Sequence, residues 1–268
     1  LDVDAGATGE DEAALETLDN YLCELKELQI RDGLHVFTQS PGGRLRTDLL
    51  VALARTPRGY ERAAEGSLLR ALADDLALGF DPLDCRMGNR WTGPKPGALA
   101  IVSDEPWRTF GDTVERLERL ASELVSGATS LEKLGETVAA VMTSVMAELA
   151  PAVDACGAAE KAGLLEGLDG RFIMPGPSGA PTRGRPDVLP TGRNFYSVDT
   201  RSVPTATAWE LGKRSAQLLV DDYFQREGEY PKTMALSAWG TSNMRTGGDD
   251  IAQALALMGV RPVWDWTS

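Results

Sequence analysis

Apolar residues recur at three- and four-residue intervals along much of the chain, the spacing that lines side chains along one face of a helix. Leu15, Leu18, Leu22 and Leu25 form one such stripe, and Val114, Leu117, Ala121 and Leu124 form another. Asp112 and Glu115 stand at capping-box spacing around the start of the second, where a carboxylate satisfies free N–H groups. Leu131, Leu134, Val138, Val141, Val145 and Leu149 make a third stripe. It is expected to end before Pro151, because proline lacks the N–H that continues a helix. A shorter helix is expected over Arg62 to Leu78. Stripes of this kind are core rather than binding faces.

Two segments interrupt the helical pattern. Residues 81–107 carry four prolines and three glycines, and residues 174–190 carry five prolines and three glycines. No helix is expected to pass through the second, and loops this long inside a compact domain are functional or disordered. After Pro190 the pattern changes again. Thr207 and Glu210 are spaced to cap a helix reaching about Glu227, and Thr233–Trp239 reads as a buried strand. A polar loop over 240–248, a helix from Asp249 to Met258 and a strand over Arg261–Trp264 follow. Helix, strand, loop, helix and strand in that order describe an α/β unit with a parallel sheet.

The fold class expected is therefore mixed and mainly α. A bundle-like helical region spans 1–170, a Pro/Gly/Arg-rich segment 171–205, and a partial α/β unit 206–268. No internal repeat is visible.

Composition narrows the function. With 43% hydrophobic and 25% charged residues, the chain has the makeup of a globular protein with one or two cores. Its net charge of −13 argues against wholesale nucleic-acid binding, which needs a basic surface. Cys23, Cys85 and Cys156 lie far apart, without a CxxC pair, and read as small buried hydrophobes in a reduced compartment. Leu1 opens directly into an acidic stretch rather than a signal peptide. Acidic residues at 136, 148, 154 and 160 interrupt the longest apolar region, so no membrane span is expected and the location reads as cytoplasmic. The chain lacks an initial Met and stops just after a candidate strand, which reads as a piece of something longer.

Two clusters could carry chemistry. Between residues 171 and 201 there are five arginines (171, 183, 185, 193 and 201) against Asp187 and Asp199, a local balance of +3. The arginine fork suits bidentate contact with carboxylates, so the stretch suits an acidic small molecule. Equally, these arginines could pair with acidic faces elsewhere in the protein. The second cluster is the loop from Trp239 to Asp250, beyond the carboxyl end of an expected strand, where α/β proteins gather ligands. Asn243 and Arg245 add donors there, and Gly247 and Gly248 permit close approach. A well-capped turn is the alternative, since Thr246 can cap the next helix and Asp249 with Asp250 would repel a phosphate. Neither GxGxxG nor GxxxxGK[ST] occurs, and no serine lies in a GxSxG elbow. His35 is the lone histidine, among apolar neighbours, and a structural histidine is its plainer reading.

Four runs in order resemble one family. They are Cys23-Glu-Leu-Lys-Glu-Leu-Gln-Ile-Arg-Asp-Gly-Leu-His-Val-Phe37, Gly170-Arg-Phe-Ile-Met-Pro-Gly-Pro-Ser178, Leu189-Pro-Thr-Gly-Arg-Asn-Phe-Tyr196 and Trp239-Gly-Thr-Ser-Asn-Met-Arg-Thr-Gly-Gly-Asp249. They are similar to successive blocks in the large subunits of cobaltochelatase and magnesium chelatase. The runs at 194–196 and 243–248 look like the cobalt branch. The resemblance implies a large subunit that binds a tetrapyrrole, hydrogenobyrinic acid a,c-diamide, and receives cobalt(II) as substrate metal during cobalamin synthesis. It implies two smaller partner subunits, one an AAA+ ATPase, which hold ATP and Mg in place of this chain. Arg193, Asn194, Asn243 and Arg245 are then the expected contacts to substrate carboxylates or amides, with His35 as the metal-side candidate.

The family's upstream His-Gly-x-x-Glu stretch has no counterpart, since Val36 follows His35, and the chain is not expected to insert metal alone. Two rivals remain. One is a structural module that docks the ATPase partner without touching substrate, and the other is a free-standing phosphate-binding unit.

Overall fold

A computed structural model describes residues 34, 36–59, 65–130, 135–196 and 203–264. The Leu15–Leu25 stripe, Cys23, His35, Arg201 and the beginning of the helix expected from Arg62 lie outside these residues, as do Leu131 and Leu134.

The core is helical. Helices α1 (Gly43–Arg55), α2 (Leu68–Asp75), α3 (Gly97–Ala100), α4 (Phe110–Ser126) and α5 (Glu136–Ser144) surround it. Leu49, Leu50, Leu68, Leu69, Leu72, Leu117, Leu120, Val138 and Val141 are fully or almost fully buried there. Each such side chain contributes about 1.5–3 kcal/mol by leaving water. Helix α4 follows the expected stripe but starts one turn earlier than its expected cap. Thr109 Oγ1 accepts from the Asp112 N–H at 3.1 Å, and Asp112 Oδ2 accepts from the Thr109 N–H at 2.8 Å. Glu115, expected to complete the box, instead pairs with Arg119 one turn on, at 2.6 Å.

The third stripe does not stop at Pro151. Helix α5 runs through a π-turn at Val145–Leu149 into α6 (Ala150–Leu168). The Ala150 N–H reaches back five residues to the Val145 carbonyl, so the chain gains a residue within one turn. Pro151 then sits in the first turn of α6, where its missing N–H disrupts little. The whole run Glu136–Leu168 is 33 residues with mean hydropathy 1.4 in its most apolar window, long and apolar enough to cross a membrane. Its acidic residues thus do not exclude a span on composition. Part of its apolar side, Val138, Val141, Val145, Val153 and Cys156, builds the protein core, while Leu164, Leu165 and Leu168 are exposed.

The loop over 81–107 is ordered by one buried cation. Arg116 of α4 donates to the carbonyls of Leu99, Ser103 and Glu105. Its guanidinium also lies over the Trp107 ring, 4.7 Å from the centroid. Phe80, Trp91 and Phe110 close the loop's other end as three mutually edge-on rings, with each pair of centroids 5.1 Å apart. This loop is structural. Cys85 within it is only half-buried, unlike Cys156, which has the expected buried position.

The C-terminal third departs further. Strands β1 (Pro175–Pro177) and β2 (Asn194–Tyr196) pair in parallel, so the parallel pairing lies inside the Pro/Gly/Arg segment rather than after it. Helices α7 (Ala206–Glu227), α8 (Gly240–Thr246) and α9 (Asp249–Leu257) follow, with α9 packed along α7. The end at Glu227 is as expected, but Thr205 is the cap, accepting from the Ala208 N–H at 3.2 Å. Thr207 instead donates to the Pro57 carbonyl at 2.8 Å, fixing α7 to the N-terminal core. The strands expected at 233–239 and 261–264 form no ladder among the described residues, and most of the loop expected over 240–248 is helix α8. Among the described residues, the stretch expected as a partial α/β unit shows α7 and α9 packed as a helix pair. The two expected strands pair with nothing among the described residues, and pairing, unlike local periodicity, needs a partner strand.

Candidate functional site

The Pro/Gly/Arg segment is held on α6 by a glycine and a carboxylate. Gly192 has φ +88 and lies against the α6 backbone, so a Cβ there would meet the Ala159 carbonyl group at about 2.5 Å. Glu160 clasps from the other side, accepting from the Thr191 hydroxyl at 2.6 Å and from the Thr38 N–H at 2.6 Å. This fixes β2, which begins at Asn194 directly after Arg193. Pro175 and Pro177 lack N–H groups, so β2 supplies donors, and the Asn194 N–H reaches the Met174 carbonyl at 3.0 Å.

The two segments singled out in the sequence meet. The Ala180 N–H donates to the Arg245 carbonyl at 3.2 Å, and the Thr205 N–H to the Gly247 carbonyl at 2.9 Å. Arg185 lies at the centre of this joint and is 3% exposed. Its fork donates to both Asp187 oxygens, at 2.9 and 2.8 Å, and these bonds raise the guanidinium pKa above its ordinary value. Its methylene stem fills the space beside Gly179 and Gly247, where any Cβ would crowd it. Gly247, at φ +71, turns the chain from α8 into α9 and would also drive a Cβ into Thr205. The Arg185 Nη1 atom is buried without a hydrogen-bond partner.

The expected contact residues take different positions. Arg193 is exposed; its stem crosses Gly176 of β1 and its Nη2 donates to the Leu189 carbonyl at 3.3 Å. Asn194 is exposed on β2. Arg245 is exposed on the last turn of α8. Arg183, Arg193 and Arg245 have no ion pair among the described residues. Gly176 touches the Arg193 stem and Ala180 bonds the Arg245 backbone, so these two arginines flank one stretch of loop spanning at most about 14 Å. Arg171 pairs with Asp169 at 3.1 Å and Arg185 with Asp187. The ion-pair alternative therefore holds for those two, though with neighbours rather than distant acidic faces.

Asn243 is 6% exposed and its amide is used internally. The Nδ2 donates to the Trp239 carbonyl and to Asp250, both at 2.9 Å, while Oδ1 is buried without a partner. Asn243 thus holds α8 against α9 and does not face solvent. The start of α9 is occupied by the chain's own groups. Thr246 Oγ1 and Asp249 share a bond of 2.6 Å, and Asp249 Oδ1 accepts from the Asp250 N–H at 3.0 Å. A phosphate there would displace a carboxylate from its own helix, so the capped-turn alternative describes this loop.

Among the described residues no cluster of three or more His, Cys, Asp and Glu is placed to hold a metal ion. A shallow depression of about 480 Å³ lies elsewhere, between α1 and α4, lined by Gly43, Arg44, Arg46, Thr47, Ser122, Val125 and Ser126. Its cations are already paired, Arg44 with Asp48 and Arg46 with Asp154.

Arg185 and Glu160 carry the geometry, and neither was set apart by the pattern of the chain. For Arg185 the usable signal is local: Arg185-Pro186-Asp187 is the one arginine in its run with an acid two residues away across a proline. Glu160 reads as an ordinary polar position on a helix.

Comparison with known proteins places this geometry in a family. The family model described as CobN/Magnesium Chelatase matches residues 1–268. The chain is 57% identical to the aerobic cobaltochelatase subunit CobN of Sinorhizobium sp, with all of this chain and 23% of the relative covered. Identity is 29% to the chloroplastic magnesium-chelatase subunit ChlH of Oryza sativa subsp. japonica, over 91% of this chain and 19% of the relative. A solved structure, the catalytic subunit of cobaltochelatase from Mycobacterium tuberculosis, superposes with a TM-score of 0.59 at 36% identity, covering 98% of this chain and 21% of that one. The chain spans about a fifth of the length of these relatives, and it belongs to the CobN/magnesium chelatase family.

Proposed function

We propose that this chain works within the large subunit of an aerobic cobaltochelatase, where it forms part of the surface that holds hydrogenobyrinic acid a,c-diamide while cobalt(II) is inserted. The single observation that carries the reading is the 57% identity to a cobaltochelatase subunit over the whole chain, against 29% to a magnesium-chelatase subunit. ATP and Mg belong to partner subunits, one of them an AAA+ ATPase, and the bacterial relatives support a cytoplasmic setting.

Arg193 and Arg245 are the groups proposed to meet the substrate, with Asn194 beside Arg193. Both guanidiniums are exposed and lack an ion pair among the described residues, and the two flank one short loop. A macrocycle edged with carboxylates and amides offers acceptors that suit a planar fork of N–H donors. Asn243 acts through α8, by holding the helix that carries Arg245. None of these groups is suited to take the pyrrole protons displaced by the metal, because the arginine fork only donates hydrogen bonds and an asparagine amide is not a base. His35 remains the proposed metal-side group.

Reconstitution tests the reading. The large subunit carrying this chain, combined with its two small subunits, ATP and Mg, is expected to convert cobalt(II) and hydrogenobyrinic acid a,c-diamide to the cobalt complex. Insertion of magnesium into a porphyrin, with no turnover of cobalt, would overturn it.

A further inference from the structure

We infer that Phe195 stacks against the face of the conjugated macrocycle while Arg193, on the same face of the β1–β2 ladder, takes a carboxylate at the macrocycle's edge. This contact adds an apolar floor to the substrate surface proposed above and rests on that reading of the chain.

The ladder register puts the two groups together. Gly176 pairs with Phe195, and directly paired residues project to the same face of a ladder. A Cβ on Gly176 would meet the Arg193 stem, so Arg193 lies over that face as well. Two residues apart along an extended chain, Arg193 and Phe195 stand about 7 Å from one another. The bond from the Asn194 N–H to the Met174 carbonyl carries the alternation one residue before β1, which places Met174 on this face too.

Gly176 makes the arrangement possible. It is buried with the Arg193 stem across it, and a larger residue there would push that stem off the ladder and away from the ring. The groups above it are open. Phe195 is 71% exposed and Met174 67% exposed. Arg193 is exposed and pairs with no acid among the described residues, in a chain whose net charge is −13. Its hydrogen bond from Nη2 to the Leu189 carbonyl, at 3.3 Å, leaves the other donors of the fork for a ligand.

The occupant follows from the pairing of an apolar ring with an uncompensated cation. An exposed ring or an exposed arginine alone is ordinary surface. An aromatic plane with an unpaired guanidinium at its rim suits a ligand that is apolar across its face and acidic at its edge. A conjugated macrocycle edged with carboxylates has that form. The other exposed apolar cluster lacks the charged half. Leu164, Leu165, Leu168 and Phe172 stand around the end of α6, but Arg171 there is paired with Asp169 at 3.1 Å.

Calorimetric titration and thiol labelling of the complete large subunit test this. Phe195→Ala is expected to weaken binding of hydrogenobyrinic acid a,c-diamide roughly tenfold, and Phe195→Tyr, which keeps the ring, to preserve it. In the Phe195→Cys variant, a maleimide is expected to label position 195 of the free subunit, read by mass spectrometry of that peptide. Saturating substrate is expected to slow the labelling roughly tenfold, in line with the occupancy of the site. Unchanged affinity in Phe195→Ala, with weakened binding in Arg193→Ala, would overturn the stacking contact and leave the functional reading standing. A position 195 that resists the maleimide in the free subunit would also overturn it, because the rest of the subunit then covers the ring. A subunit that binds no hydrogenobyrinic acid a,c-diamide would sink both.

Discussion

The Ala180 N–H donates to the Arg245 carbonyl at 3.2 Å, and this bond fastens the Pro/Gly/Arg segment to the end of helix α8. Each of the two arginine-bearing segments is held by backbone contacts and glycine close approaches, and Arg193 and Arg245 are left exposed without an ion pair among the described residues. The joint behind them depends on a buried pair.

Arg185 is buried while Asp187 is half exposed. Removing the acid strands a desolvated cation, which costs more than losing both partners. Asp187→Ala is expected to destabilise the protein by about 2–4 kcal/mol. The double variant Arg185→Met with Asp187→Ala is expected to be more stable than that single variant. Urea denaturation of the single and double variants measures the difference, and an equal or larger loss in the double variant refutes the buried pair.

Gly247 turns between α8 and α9 at φ +71, with space for a Cβ closed by Thr205 at 2.7 Å. Gly247→Ala is expected to cost about 2–3 kcal/mol, from backbone strain and overpacking together. Gly42→Ala, where nothing lies within 4 Å of the new methyl, is expected to change stability by less than about 0.5 kcal/mol. Similar thermal shifts for the two variants would contradict the close packing of the joint.

Arg70 of α2 joins Asp81, at 2.7 Å, and Glu210 of α7, at 2.9 Å. Burial works against the Arg70 charge, but the hydrogen bonds to the two carboxylates outweigh it and raise its pKa. Burial likewise works against ionised Asp81, yet the Arg70 bonds and the Leu83 N–H hold its pKa below the usual 3.8. Asp81 therefore contributes stability that is complete above its ordinary pKa and is lost as pH falls through the lowered one. Asp81→Asn is expected to lose about 1–2 kcal/mol at pH 7, the lower range reflecting its partial exposure. Its stability is then expected to fall less steeply than that of the unmodified chain between about pH 5 and pH 3. Parallel slopes in thermal melts across that range would contradict the assignment.

The helical stripes among the described residues are legible because their signal is local. Val114, Leu117, Ala121 and Leu124 are buried on one face of α4, as their spacing requires. Pro151 was misread because a π-turn supplies the extra residue that lets the helix absorb a proline, and apolar spacing does not reveal it. Thr233–Trp239 reads as a strand in sequence, but a ladder needs partners that local spacing does not reveal, and the segment pairs with none among the described residues. At the site, the sequence marks the arginine run and the Trp239–Asp250 segment without showing that they touch. It also does not separate Arg185, which is buried and paired, from Arg193, which is exposed, since both are arginines flanked by glycine one residue before. Burial made that distinction.

Calorimetric titration of the complete large subunit with hydrogenobyrinic acid a,c-diamide tests the central claim most directly. Arg193→Ala and Arg245→Ala are each expected to weaken binding by roughly tenfold to a hundredfold, the loss of one charge-assisted hydrogen-bonding group. Arg171→Ala, which removes an exposed pair with Asp169, is expected to leave the affinity unchanged. Unaltered affinity in both the Arg193 and Arg245 variants would contradict the account.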